Sequence, residues 1–175
     1  MTSAVPADFD AVVRTGAAPL TRLAYLITAN AAAAEDVVQE ACRRLWTRWT
    51  RDGAPDDPAA YLRMIVVNEA RRQLRKQSQD RDLVGSLSMA AASFGYHDIE
   101  VRDDREALWT LLADLSSRQR SVLVLRYYEN LGDREIADIL GCRPATVRSL
   151  AARALTRLKE RSEELVAGRA PWTTI

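Results

Sequence analysis

The sequence predicts an all-α protein built from two small helical domains joined by a flexible linker. Three observations carry that expectation. Apolar residues recur at three- and four-residue spacing over residues 35–49, 59–76 and 106–158. Seven glycines, six prolines and 6% aromatic residues favour helices over a turn-rich β fold. Residues 77–100, QSQDRDLVGSLSMAAASFGYHDIE, lose the periodicity and gain Ser, Gly and Gln, so they read as a linker with a helical piece around 87–92.

The elements follow in order. Residues 1–6 read as frayed. Over 8–28, Phe9, Val12, Val13, Leu20, Leu23, Leu26 and Ile27 predict one or two helices, with a break near Gly16 and Pro19. Residues 30–34 form a small-residue joint. The helix at 35–49 turns Val37, Val38, Ala41, Leu45 and Trp49 to a core and leaves Asp36, Gln39, Glu40, Arg43 and Arg44 outside. Gly53, Pro55 and Pro58 make 50–58 a loop. Asp57 is placed to cap the next helix, with Pro58 at its first position. In that helix, 59–76, Leu62, Val66, Ala70 and Leu74 repeat every four residues toward a core. Asn68, Arg71, Arg72 and Arg75 fall opposite, on a face able to follow a phosphate backbone or to remain a solvated surface.

In the second half, six carboxylates between Asp98 and Asp114 favour a helix start through the helix dipole. Helices at 106–115 and 118–129 offer Leu108, Leu111, Leu112, Leu115, Val122, Leu123 and Leu125 for packing. Residues 132–159, GDREIADILGCRPATVRSLAARALTRLK, then read as a short helix, a tight turn and a longer basic helix. Ala137 lets the two helices touch, Gly141 supplies the positive backbone angle of the turn, and Val147 plugs the crossing, the spacing of a helix-turn-helix. Pro144 suits the first turn of the second helix. An ordinary helical hairpin fits the same spacing, and charge tips the balance. Arg143, Arg148, Arg153, Arg157, Lys159 and Arg161 face only Glu160 in sequence, and a helix in a major groove needs that positive charge. Residues 163–175 read as a helix end and a loose tail.

Composition limits the function classes. The chain has 175 residues, 47% of them hydrophobic, enough for a packed core. Net charge is only +1, so contact with nucleic acid must come from local asymmetry. Only Lys76 and Lys159 among the 25 basic residues are lysines, and arginine suits bidentate phosphate and guanine contacts. Cys42, Cys142 and the single His97 show no metal-ligand spacing, so neither metal nor cofactor is expected. No signal core or membrane-length apolar run stands in the sequence, and the expected location is cytoplasmic.

The order of these pieces resembles a bacterial RNA polymerase sigma factor of the sigma-70 family, in its small two-region extracytoplasmic function (ECF) form. Three stretches carry the resemblance. AEDVVQEACRRLWTRW at 34–49 is similar to the region-two helix that binds the clamp of core RNA polymerase, placing Asp36, Gln39 and Glu40 on core-binding positions. AYLRMIVVNEARRQLRK at 60–76 is similar to the helix that reads the promoter −10 element. The resemblance puts Asn68 on the family's asparagine position and Tyr61, Arg71, Arg72 and Arg75 beside it. Residues 112–160 resemble region four, which binds the −35 element, with Arg143, Thr146, Arg148, Ser149, Arg153 and Arg157 toward DNA. Three positions depart from the family pattern. Arg72 stands where many relatives carry an acidic residue, Arg143 where they often have a serine cap, and Leu150 where they often have a basic residue.

The resemblance implies region two at 8–77, a linker at 78–103 and region four at 104–162. It implies core RNA polymerase and promoter DNA as partners, and it admits an anti-sigma protein. It also implies that binding alone opens the promoter, with the loop at 50–57 and the Asn68 face capturing extruded bases. The sequence has no phosphate-cradling GxxxxGK[ST] stretch. Two other classes stay open at this point: a stand-alone helix-turn-helix regulator that binds DNA without polymerase, and an all-helical enzyme, for which no nucleophile–base constellation is present.

Overall fold

The computed structural model describes residues 7–84, 112 and 114–168, and every described element is helical. The chain divides into two compact units, one within residues 1–94 and the other within 95–175. The first holds α1 (Ala7–Thr28), α2 (Ala31–Asp52) and α3 (Pro58–Val84), each packed on the other two. Its core is the stripe of each helix: Leu20, Leu23, Ala24 and Ile27 from α1, Ala34, Val37, Val38, Ala41 and Leu45 from α2, and Leu62, Ile65, Val66, Val67, Ala70 and Leu74 from α3. Trp49, expected in that core, is half-buried and closes with Trp46 around the Phe9 ring at 5.5 and 5.0 Å.

α1 runs unbroken through Gly16 and Pro19, against the expected break. Proline inside a helix costs about 3 kcal/mol because a hydrogen bond is lost and the ring crowds the preceding turn. Here Thr15, Ala18 and Pro19 are all exposed, so this side of the helix, with the Thr15 carbonyl that Pro19 cannot serve, is turned to solvent. Burial of Leu20, Leu23 and Ile27 at roughly 1.5–3 kcal/mol each outweighs the cost. Gly16 lies close to its neighbours: a Cβ there would lie 3.2 Å from Leu20 Cδ1, which would have to shift slightly, and 3.8 Å from Leu62 Cδ2, an ordinary contact.

The joint expected at 30–34 is shorter. Asn30 Oδ1 accepts from the Ala33 N–H at 2.9 Å and starts α2 directly. α2 then outlasts its expected end by one turn, because Gly53 at φ 85° closes it with its N–H on the Trp49 carbonyl at 3.0 Å. Asp57 caps α3 as expected, with Oδ1 accepting from the Ala60 N–H at 2.9 Å and Pro58 leading the helix. α3 also outruns its apolar stripe and continues to Val84.

In the second unit, Ser116 and Gln119 cap α4 (Ser117–Leu123) reciprocally. The Gln119 N–H donates to Ser116 Oγ at 3.3 Å, and the Ser116 N–H to Gln119 Oε1 at 3.1 Å. The single helix expected over 118–129 instead widens at Leu123 into a π-helical turn, Val124–Tyr128. There the Glu129 N–H reaches the Val124 carbonyl at 3.2 Å, spanning one residue more than an α-helical bond does. Arg120 through Leu125 are buried without interruption, so this helix is enclosed on all sides. The wide turn then leaves Tyr127 and Tyr128 exposed.

α5 (Asp133–Leu140) and α6 (Pro144–Gly168) form the expected helix-turn-helix. Glu135 Oε2 accepts from the Gly132 N–H at 2.8 Å at the start of α5. Gly141 sits at φ 61°, ψ 47°, and the Cys142 N–H returns to the Ala137 carbonyl at 2.9 Å, closing a Schellman turn. Ile136, Ala137 and Leu140 pack on Val147, Ala151 and Ala154, all buried, above Leu112, Leu115, Val122, Leu123 and Leu125. α6 ends at Gly168, within the stretch expected to hold its end, and Arg161 pairs with Asp114 at 2.9 Å. The helical pieces expected around 87–92 and over most of 106–115, the acidic run before Asp114, and Trp172 lie outside the described residues.

Candidate nucleic-acid interface

The basic helix α6 is two-faced for a local reason. Burying Val147, Ala151 and Ala154 leaves Arg143, Arg148, Arg153, Arg157 and Lys159 exposed or at the rim. Thr146 and Ser149 stand between the two faces, and Arg153 Nη2 donates to Ser149 Oγ at 2.9 Å. Arg143 ends the turn without a side-chain cap of the serine type. Its backbone carbonyl takes the Thr146 and Val147 N–H groups at 2.8 and 3.2 Å, and its side chain is exposed. Sequence reasoning missed Asp133 in this unit. Its carboxylate accepts from Arg126 of the π turn and lies 3.6 Å from Arg148 Nη1, tying the base of the first helix to a cation of the second.

In the first unit, Tyr61, Asn68, Arg72 and Arg75 follow one another by seven-, four- and three-residue steps along one side of α3. Asn68, Arg72 and Arg75 are exposed and Tyr61 is half-buried. Arg71 does not join that surface: it is 5% exposed. It follows Val67 by one turn and precedes Leu74 by three residues, so its stem continues the buried stripe. Its Nη1 donates to Asn68 Oδ1 at 3.2 Å, so Arg71 fixes the asparagine from beneath instead of facing outward.

On α2, Asp36 and Gln39 sit beside Glu40, which is half-buried and engaged at home. Arg43 donates to both Glu40 oxygens at 2.8 Å and Arg44 Nε to one at 2.7 Å. These bonds, Arg43's first and then Arg44's, pull the Glu40 carboxyl down to about 2, and Glu40 in turn raises the Arg43 guanidinium. Arg44 Nη2 also reaches Glu69 Oε2 on α3 at 3.1 Å. Glu69 is 2% exposed and holds Arg72, whose Nε donates at 2.9 Å. Arg72 is raised by that hydrogen bond. A charge chain therefore crosses the α2–α3 seam: Arg43, Glu40, Arg44, Glu69, Arg72. Composition and periodicity hid it, because Glu69 reads as one acidic residue in a basic helix.

The carboxylate that ends α2 is locally neutralised. Asp52 lies 2.8 Å from Arg51 Nη2 and 3.4 Å from Arg48 Nη1, and the Arg51 hydrogen bond lowers its carboxyl. Among the described residues, no group of His, Cys, Asp and Glu side chains could hold a metal ion, and no helix is long and apolar enough to cross a membrane. Burial raises the thiol of half-buried Cys42, and Cys42 and Cys142 are both free.

A helix-turn-helix with an exposed arginine face, in one chain with a separate helical bundle that carries a polar, arginine-bearing helix, defines a two-module DNA-binding transcription protein. Residues 12–79 match the family model for sigma-70 region 2, and residues 105–158 that for sigma-70 region 4. The chain is 34% identical to an RNA polymerase sigma-E factor of Streptomyces avermitilis over 158 residues, covering 89% of this chain and 86% of the relative. It belongs to the sigma-70 family, in the ECF group: it is a sigma factor, which directs core RNA polymerase to promoters. It is also 32% identical to the ECF sigma factor SigL of Mycobacterium tuberculosis over 151 residues, 85% of each chain. The fold is similar to that of the sigma factor RpoE of Bartonella quintana, solved with the anti-sigma factor NepR. That likeness has a TM-score of 0.63 and 28% identity, covering 87% of this chain and 95% of that one.

Proposed function

We propose that the α2 face of Asp36, Gln39 and Glu40 holds the clamp of core RNA polymerase, and that the α3 face of Tyr61, Asn68, Arg72 and Arg75 takes the −10 element. The acidic loop at 53–57 lies next to α3 in sequence and takes part in receiving extruded bases. α6 enters the major groove at the −35 element with Arg143, Arg148, Ser149, Arg153 and Arg157 outward and Thr146 at the edge. The observation that supports this most is the division of α6, one side buried on α5 and α4, the other a run of arginines open to solvent.

The chain has no active site of its own in this reading, and it works in the cytoplasm with the polymerase. Taking a base out of the stack costs a few kcal/mol. Asn68, its Oδ1 held by Arg71, presents a pre-oriented side-chain amide to an extruded base, which offsets the cost, so binding becomes strand opening without nucleotide hydrolysis. By likeness to the Bartonella protein, an anti-sigma protein is a further partner.

Transcription in vitro with core polymerase on a genomic promoter library tests the whole reading; initiation no more selective than core alone would refute it. Asn68→Ala spares core binding and reduces opening, and permanganate footprints like those of wild type would remove Asn68 from the site. Asp36→Arg weakens co-purification with core, and undiminished recovery would remove the α2 face.

A further inference from the structure

We propose that Glu69 is a positioning residue that sets promoter selectivity by holding Arg72 off the phosphate backbone. The proposal rests on the reading of the α3 face as DNA-facing. Two cations on that face are in contrasting states. Arg75 is exposed and makes no ion pair among the described residues. Arg72 gives both Nε and Nη2 to one oxygen of Glu69, whose other oxygen meets Arg44 of α2. Glu69 is almost fully buried, so water competes little for its two oxygens, and each stays with its guanidinium. Arg72, its side chain 58% exposed, is thus partly neutralised and aimed, its outer edge toward solvent.

The chemistry of that arrangement is selective. A free arginine gains affinity from any phosphate, with counterion release and no sequence information. An arginine already paired releases few counterions, and its fixed N–H groups reward only an acceptor that lies where they point. Arg44 also lies on Glu40, so the same carboxylate that aims Arg72 is braced from the face proposed for polymerase.

The test uses the full chain bound to core polymerase. Binding is measured between about 50 and 200 mM salt, to a duplex of random sequence and to a promoter recovered by transcription in vitro. Glu69→Gln frees Arg72 and steepens the log–log salt slope on random DNA by about 0.9, roughly a threefold gain at the low-salt end, while the preference for promoter falls. Arg72→Gln loses preference for the promoter and leaves the slope near wild type, whereas Arg75→Gln flattens it by about 0.9. The variant carrying both Glu69→Gln and Arg72→Gln behaves as Arg72→Gln alone.

A Glu69→Gln slope equal to wild type, or a shift that persists without Arg72, overturns the proposal. Should Glu69→Gln not fold, the comparison of Arg72→Gln with Arg75→Gln decides: equal flattening overturns it, and flattening by Arg75→Gln alone upholds it. If Arg75→Gln also leaves the slope untouched, the placement of α3 on DNA has failed, an outcome distinct from failure of Glu69's role.

Discussion

Gly141 is the hinge on which the helix-turn-helix depends, and its substitution separates backbone strain from packing. A Cβ at this position meets nothing within 4 Å, so no clash contributes. What remains is the left-handed conformation at φ 61°, which costs an L residue roughly 1–2 kcal/mol. Alanine recovers a few tenths of a kcal/mol by stiffening the unfolded chain, leaving a net loss of about 1 kcal/mol. Asparagine tolerates this region and loses less; valine, β-branched, loses more. The expected order of stability is Gly, Asn, Ala, Val. Hydrogen exchange over α5 and α6 reads the second unit without interference from the first. A loss of about 1 kcal/mol speeds exchange of its slowest amides roughly fivefold. It also lowers the melting temperature by about 4–8 °C for a unit this small. If alanine protects those amides as well as glycine, or asparagine is worse than alanine, the strain argument fails, and the turn is set by something other than φ.

Val147→Asp buries an unpaired carboxylate at a fully enclosed site. It costs more than about 3 kcal/mol, enough to unfold the second unit while the first keeps its helix signal. Native exchange in α6 would contradict the crossing assigned to Val147. Asp133→Asn removes the shared partner of Arg126 and Arg148 and the charge at the start of α5. The Arg148 side chain is 63% exposed. Solvent screening therefore holds the loss to about 1 kcal/mol, read as a shift in melting of the second unit. The pH prediction concerns Glu40. Its folded carboxyl is depressed, so its contribution to stability is complete above the ordinary value of 4.5 and is lost as pH falls toward about 2. Carboxyl ¹³C titration showing Glu40 protonating near 4.5 would mean that the Arg43 and Arg44 bonds do not hold in solution.

How much was legible in the sequence depends on whether a feature is periodic. The stripe Leu62, Val66, Ala70 and Leu74 was readable because burial repeats with the helix, and all four are buried. The helix-turn-helix was readable because Ala137, Gly141 and Val147 each answer a separate steric demand. Pro19 misled because its cost is local, while the burial that outweighs it is spread along α1 and comes from contacts with other helices. Arg71 misled because a long side chain counts as polar, although its stem packs like an apolar one. Glu69 was invisible for a related reason: its partner Arg44 is on another helix, and no spacing within α3 reports it. The π turn was illegible because it answers the enclosure of six successive residues, which only the assembled unit imposes.

That turn gives the second unit some slack. Between Val124 and Tyr128 the ladder holds one residue more per loop than an ordinary helix would. The surplus bulges at Tyr127 and Tyr128, whose rings stand in solvent. Shortening the chain by one there would let the ladder click back to its usual step with the enclosed side chains unmoved. The same shortening within α6 would swing every arginine beyond it about 100° around the barrel of the helix. The molecule thus keeps its tolerance for a change in length one short helix upstream of the helix that has none.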